Sequence, residues 1–92
     1  MSWCLYVLQC SDDTLYTGIT TDINRRINEH NTSSKGAKYT RSRRPVKVIY
    51  TVKFTDRSAA QIAEISFKKM TRSQKLDTIK ISNRSKIFLE DK

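Results

Sequence analysis

From Trp3 to Cys10 the chain is apolar almost without a break, a pattern that suits a strand covered on both faces. Residues 14–20, TLYTGIT, read as a second strand, and the polar Ser11-Asp12-Asp13 between them as a turn. If that loop holds three residues, Cys10 pairs with Thr14, Gly18 lies opposite Tyr6 and Tyr16 opposite Leu8. Side chains alternate with a period of two, so Tyr6 and Tyr16 then share one face, a diagonal step apart. A loop of two or four residues sends them to opposite faces.

A helix follows, capped by the Asp22 carboxylate and running to about Asn31. Ile23 and Ile27 form its inward stripe, and Asp22, Arg26 and His30 share a neighbouring face at i, i+4, i+8. TSSKGAK reads as a Gly/Ser loop, and Pro45 closes a basic segment. A third strand, Val46 to Phe54, alternates Val46, Val48, Tyr50, Val52 and Phe54 against Lys47, Ile49, Thr51 and Lys53. A second helix opens on a capping box of Ser58 and Gln61, with an apolar arc of Ala59, Ile62, Ala63, Ile65, Phe67 and Met70. Glu64 falls about 40° outside that arc by helical geometry. A short third helix follows Thr71, whose pairing with Gln74 repeats the capping box, with Leu76 and Ile79 facing inward. The expected organisation is one domain over residues 1–82 and a tail over 83–92, whose Ile87, Phe88 and Leu89 either dock or stay mobile. Two strands, a helix, a strand and further helices give an α/β layer structure: a small three-stranded antiparallel sheet flanked by helices.

Length and charge narrow the function. A chain of 92 residues supports one modest core. A net charge of +9, from 18 basic and 9 acidic residues, points to a polyanionic partner, nucleic acid first. No stretch reaches the 18 or so apolar residues of a membrane span, and the N-terminus lacks the basic segment and cleavage site of a signal peptide, so a cytoplasmic location is expected. Cys4 and Cys10 on one strand stand roughly 20 Å apart, too far for a disulfide, and read as buried thiols. With one histidine no Cys/His zinc set is available.

Between Lys35 and Lys53 stand seven basic residues and no acid. Lys35, Lys38, Arg41, Arg43 and Arg44 crowd around Tyr39, and such packing repels itself unless phosphates neutralise it. The other account is a solvated run that keeps the protein soluble. Tyr39 either stacks on a base or packs on the core. Arg26, one position from inward Ile27, sits where its guanidinium can fork onto a phosphate. His30 is either a proton carrier or a partial cation at the negative end of its helix, and spacing alone favours the helix end. Glu64 has a plain partner in Lys68 at i+4, and a hard cation that keeps water and phosphate ligands needs only one such carboxylate.

Taken together these residues resemble the GIY-YIG nuclease superfamily, in particular its small single-domain bacterial branch. Tyr6 in Cys4-Leu5-Tyr6 matches the first signature tyrosine and Tyr16 in Tyr16-Thr17-Gly18 the second. Arg26 matches the arginine ten residues on, and His30 the histidine or tyrosine four later. GAKYTRSRRPV looks like the corresponding loop, and Glu64, before Phe67-Lys68, matches the metal-binding glutamate. The resemblance spans residues 3 to about 80. The first triplet departs from Gly-Ile-Tyr but keeps the phenol, and Ile19 stands where some members carry a lysine.

The resemblance implies a DNA endonuclease dependent on Mg²⁺ or Mn²⁺, acting in DNA repair or recombination, with DNA ahead of RNA as partner. Glu64 would hold the metal, Arg26 would stabilise charge on the phosphate, one of Tyr6 and Tyr16 would take the proton of the attacking water, and His30 would assist. The alternative is a nucleic-acid-binding module without chemistry, using the same basic loop.

Overall fold

The computed structural model describes the backbone of residues 2–90 and the side-chain environments of residues 2–82. Its elements are β1 (Trp3–Gln9), β2 (Leu15–Thr20), α1 (Ile23–Thr32), α2 (Lys38–Arg41), β3 (Lys47–Phe54), α3 (Arg57–Lys68) and α4 (Arg72–Glu90). The sheet is antiparallel with order β2-β1-β3, the three-stranded sheet flanked by helices that the pattern predicts. No helix among the described residues is long and apolar enough to cross a membrane.

The turn settles the parity question. Cys10 N–H donates to Thr14 O at 2.9 Å, Tyr6 pairs with Gly18 and Leu8 with Tyr16. Asp13 closes the three-residue loop at φ 70°, the left-handed residue such hairpins require. Asp12 fastens the turn by accepting from Thr14 Oγ1 at 2.6 Å and from Arg43 Nε at 3.0 Å.

Central strand β1 is buried on both faces, as its continuous apolar run demands. Leu5 and Val7 pack with Phe67 and Ile79 of α3 and α4. Tyr6, Leu8 and Cys10 pack with Val46 on the other face, where Ile23 and Ile27 of α1 cover them. Cys4 and Cys10 are free thiols, but only Cys10 is buried, while Cys4 at the outer end of β1 is half-buried.

Strand β3 departs from simple alternation. Val7 pairs with Tyr50 but Leu8 pairs with Val48, so Ile49 is bulged. The extra residue switches faces: Val46 joins the Tyr6 side while Tyr50 and Phe54 join the Leu5 side, and Val48 is left 39% exposed.

Helix α3 also differs. Asp56 caps it by accepting from Ala59 N–H at 2.8 Å, displacing the expected Ser58 box, because a carboxylate two residues earlier reaches the free donors first. Its buried side is Ala60 and Phe67, with Ala63 half-buried, while Ile62 and Ile65 are 69% and 55% exposed. Small Ala60, fully buried, lets the helix approach the sheet closely, and this rotation brings Glu64, one turn beyond Ala60, to the half-buried side. The Thr71–Gln74 box forms as expected, with bonds of 2.9 and 3.2 Å. It opens a helix that continues to Glu90, with Ile79 buried and Leu76 40% exposed. The setting of Ile87, Phe88 and Leu89 lies outside the described residues.

Candidate active site

Tyr6 lies across Gly18 on the α1 side of the sheet, and a methyl at Gly18 would stand 2.6 Å from the Tyr6 oxygen. The space above Gly18 is filled by the Tyr6 phenol. Glycine there is what lets the ring lie down. The Tyr6 and Tyr16 ring centres are 6.5 Å apart, so the two phenols share the face that the register predicts.

His30 completes the cluster. Near the end of α1 it is 0% exposed, with Nε2 2.9 Å from the Tyr6 oxygen and Nδ1 2.8 Å from Thr40 Oγ1. Its ring meets Tyr16 edge-on at 5.2 Å. The helix-end task that spacing favours for His30 falls instead to Arg44, whose guanidinium donates to the carbonyls of His30, Glu29 and Ser33. Burial, reinforced by the positive charge of Arg26, pushes the His30 pKa down to about 4, against an opposing pull from Glu29. The imidazole is neutral at physiological pH.

Arg26 donates to Glu29 Oε1 at 3.0 Å and to Lys35 O at 2.8 Å, which pins its half-buried guanidinium beside the Tyr6 phenol. Burial drives the Tyr6 pKa up to about 12; Arg26 pulls it down, while Tyr16 and the Glu64 carboxylate add to the rise. Glu64 therefore stands within electrostatic reach of Tyr6 from α3, its Oε2 3.4 Å from Lys68 Nζ. Tyr6, Tyr16, Arg26 and His30, drawn from three elements, face one region, and the charge of Glu64 on α3 is felt at the Tyr6 phenol.

The basic segment divides. Its middle forms α2, where the sequence suggests only loop, and Gly36 before it lies so close to α1 that a methyl would meet Glu29 O at 2.7 Å. Arg43 spans Asp12, the Tyr39 carbonyl and the Tyr39 ring, 3.9 Å below its guanidinium carbon. Together with Arg44 it holds the loop to the body of the protein. Lys35, Lys38 and Arg41 are exposed. Tyr39, 38% exposed, stacks beside Tyr16 at 6.1 Å. The two rings line a cavity of about 240 Å³ with Lys68 and Lys75; sequence spacing named Lys68 only as a partner of Glu64 and did not single out Lys75. Thr40 was also missed: its place between Tyr39 and Arg41 in a basic segment carries no sign that its side chain is fully buried.

Comparison with known proteins gives the family and the fold. A family model described as the GIY-YIG catalytic domain matches residues 2–77. A UPF0213 protein of Desulfotalea psychrophila is 51% identical over 90% of this chain and 76% of its own length. One from Streptococcus agalactiae serotype V is 58% identical over 83% of this chain and 85% of its own length. Two solution NMR structures share the fold. The UPF0213 protein from Bacillus halodurans has a TM-score of 0.58 at 40% identity, over 88% of this chain and 85% of that one. A protein from E. faecalis has a TM-score of 0.64 at 49% identity, over 90% and 88%. With this match over most of its length, and with both signature tyrosines on one face beside the arginine and histidine, the chain belongs to the GIY-YIG catalytic-domain family.

Proposed function

We propose that the protein is a divalent-metal-dependent endonuclease that hydrolyses DNA phosphodiester bonds in repair or recombination. The observation that carries this reading is the cluster of Tyr6, Tyr16, Arg26 and His30, with the charge of Glu64 felt at the Tyr6 phenol.

Glu64 is the residue that would hold the metal. Among the described residues no three of His, Cys, Asp or Glu stand together, which does not suit a zinc or calcium cage. One half-buried carboxylate does suit Mg²⁺ or Mn²⁺, which keep water and substrate phosphate as further ligands. Bound there, such an ion supplies Lewis acidity at the phosphate and the leaving oxygen.

Attack by water requires a proton to leave as its oxygen closes on phosphorus. Tyr6 is the phenol with a base behind it, the neutral His30 at 2.9 Å. The water proton passes to the Tyr6 oxygen while the Tyr6 proton passes to His30 Nε2. The new P–O bond forms as the bond to the leaving oxygen breaks, and solvent protonates that oxygen. Tyr16, less buried than Tyr6, orients the water. Arg26 adds positive charge where the phosphate oxygens gain negative charge in the transition state. Exposed Lys35, Lys38 and Arg41 follow the flanking phosphates, Tyr39 offers a stacking face, and Arg43 and Arg44 keep that surface in place.

The second reading, a nucleic-acid-binding module without chemistry, draws on one observation. Tyr6 is 1% exposed and its phenol is pushed up to about 12, so it stays protonated and accepts a proton only as His30, whose own pKa is held down to about 4, takes the one it carries. Plasmid and branched DNA incubated with Mg²⁺ or Mn²⁺ separate the two. Cleavage by the wild type, reduced on the order of 10²-fold or more in Glu64→Ala and Arg26→Ala, is the expected result. Equal nicking by wild type and Glu64→Ala would sink the catalytic reading, and salt-sensitive binding without cleavage selects the module.

A further inference from the structure

Thr40, His30 and Tyr6 form a chain of three side chains that are 0%, 0% and 1% exposed, and every proton in it can be counted. Among the described residues the Tyr6 hydroxyl has one side-chain acceptor within hydrogen-bond distance, His30 Nε2 at 2.9 Å. The cation beside it, Arg26, only donates. If Nε2 carried hydrogen, the Tyr6 hydroxyl proton would be buried with no acceptor, at a cost that folded proteins rarely bear. Nε2 is therefore the acceptor, and the imidazole proton sits on Nδ1.

The far end of the chain gives the same answer. Thr40 Oγ1 is 2.8 Å from Nδ1 and 2.9 Å from Ala37 O, and it has a single proton. If that proton went to Nδ1, two oxygen lone pairs would face each other at 2.9 Å. If it goes to Ala37 O, Thr40 Oγ1 is free to accept from Nδ1–H. Among the described residues the one contact that opposes this arrangement is the Ala37 N–H, 3.4 Å from Nδ1, a distance that is long for a hydrogen bond.

We propose that Thr40 is a positioning residue that holds His30 in the Nδ1–H tautomer, the less common form of a free histidine side chain, so that the Nε2 lone pair faces Tyr6. The tautomer assignment rests on the packing alone; its catalytic consequence rests on the nuclease reading above. In that reading Thr40 decides whether His30 can receive the proton relayed through Tyr6, though it touches neither water nor phosphate.

The chain has one histidine, so ¹⁵N NMR of the metal-free protein at pH 7 reads this tautomer without overlap. Wild type is expected to be Nδ1–H. Thr40→Val removes the acceptor and sets Nδ1–H against the Ala37 N–H, so each tautomer now strands one buried proton and the variant should populate Nε2–H; Thr40→Ser, which keeps the hydroxyl, should stay Nδ1–H. An Nε2–H wild type, or a folded Thr40→Val that stays Nδ1–H, overturns the proposal. Should Thr40→Val not fold, the wild-type and Thr40→Ser spectra still decide it. In cleavage assays Thr40→Val should lower kcat about 10²-fold or more with KM little changed, and Thr40→Ser should restore it. A wild type that is Nδ1–H but cleaves nothing supports the tautomer lock and overturns the nuclease reading alone.

Discussion

The two faces of β1 are equally buried but differently built. On one side Leu5 and Val7 meet Phe67 and Ile79, a contact set without directional demands. On the other, Tyr6 and Leu8 share their layer with fully buried His30 and Thr40, whose polar atoms are matched one to one. Apolar packing tolerates exchange so long as volume is kept. A buried hydrogen-bonded chain does not, since removing one member strands the next. The first face holds the fold together, and the second spends part of its stability on the geometry of a site.

The largest expected effect tests the apolar face. Phe67, 4% exposed and stacked on Tyr50 at 5.9 Å, should cost about 3–5 kcal/mol as Phe67→Ala, a large share of what so small a domain has. Urea unfolding gives the number; a loss under about 1 kcal/mol would mean that α3 is not anchored there. On the polar face the matching effect is pH dependence. The His30 pKa falls from 6.5 to about 4 on folding, chiefly through burial, with Arg26 and Arg44 lowering it and Glu29 opposing them. Between those values the unfolded chain binds a proton that the folded one refuses. The contribution is therefore full above pH 6.5 and is lost as pH falls towards 4, on the order of 3 kcal/mol in all. NMR titration of the histidine should find no midpoint near 6.5 while the protein stays folded.

The two faces also differ in how legible they were. The apolar run of β1, the Asp22 cap and the three-residue turn are local signals, and from them the sheet, its register and the shared face of Tyr6 and Tyr16 follow. The bulge at Ile49 and the rotation of α3 were not readable, because both are settled by what fits against neighbours. A bulge leaves no mark in an alternating run, and small Ala60 wins the inward position over Ile62 by allowing close approach. Spacing placed Arg26 and His30 on neighbouring helix positions, but the burial of His30 needs Thr40, ten residues away in the chain. Glu64 stood out only through its family resemblance, since i+4 pairing with Lys68 explains it equally well.

Gly18 joins the two descriptions, being a backbone position that the polar face consumes. A methyl there meets Tyr6 Oη at 2.6 Å and Cζ at 2.7 Å, so the ring must shift from its place over β2, which disturbs its bond to His30. Gly18→Ala should cost about 1–3 kcal/mol and alter the His30 NMR signals. A variant of wild-type stability with an unchanged His30 spectrum would show that the phenol has slack in its seat, against the picture of a matched chain.

The smallest effects separate arginines that look alike in sequence. Arg44 caps α1 through three carbonyls, two of them, those of Glu29 and His30, on the helix that carries both Arg26 and His30 and the third on its capping residue Ser33. Arg44→Ala should therefore cost about 1–2 kcal/mol in unfolding, from lost hydrogen bonds and a lost cation at the helix's negative end. Arg41, exposed on α2, should change stability by less than about 0.5 kcal/mol as Arg41→Ala, yet lower the slope of log affinity for DNA against log salt by about one. The reverse pattern, with Arg44 governing the salt slope and Arg41 the stability, would move the binding surface from α2 to the end of α1. It would also leave His30 held by its buried partners alone.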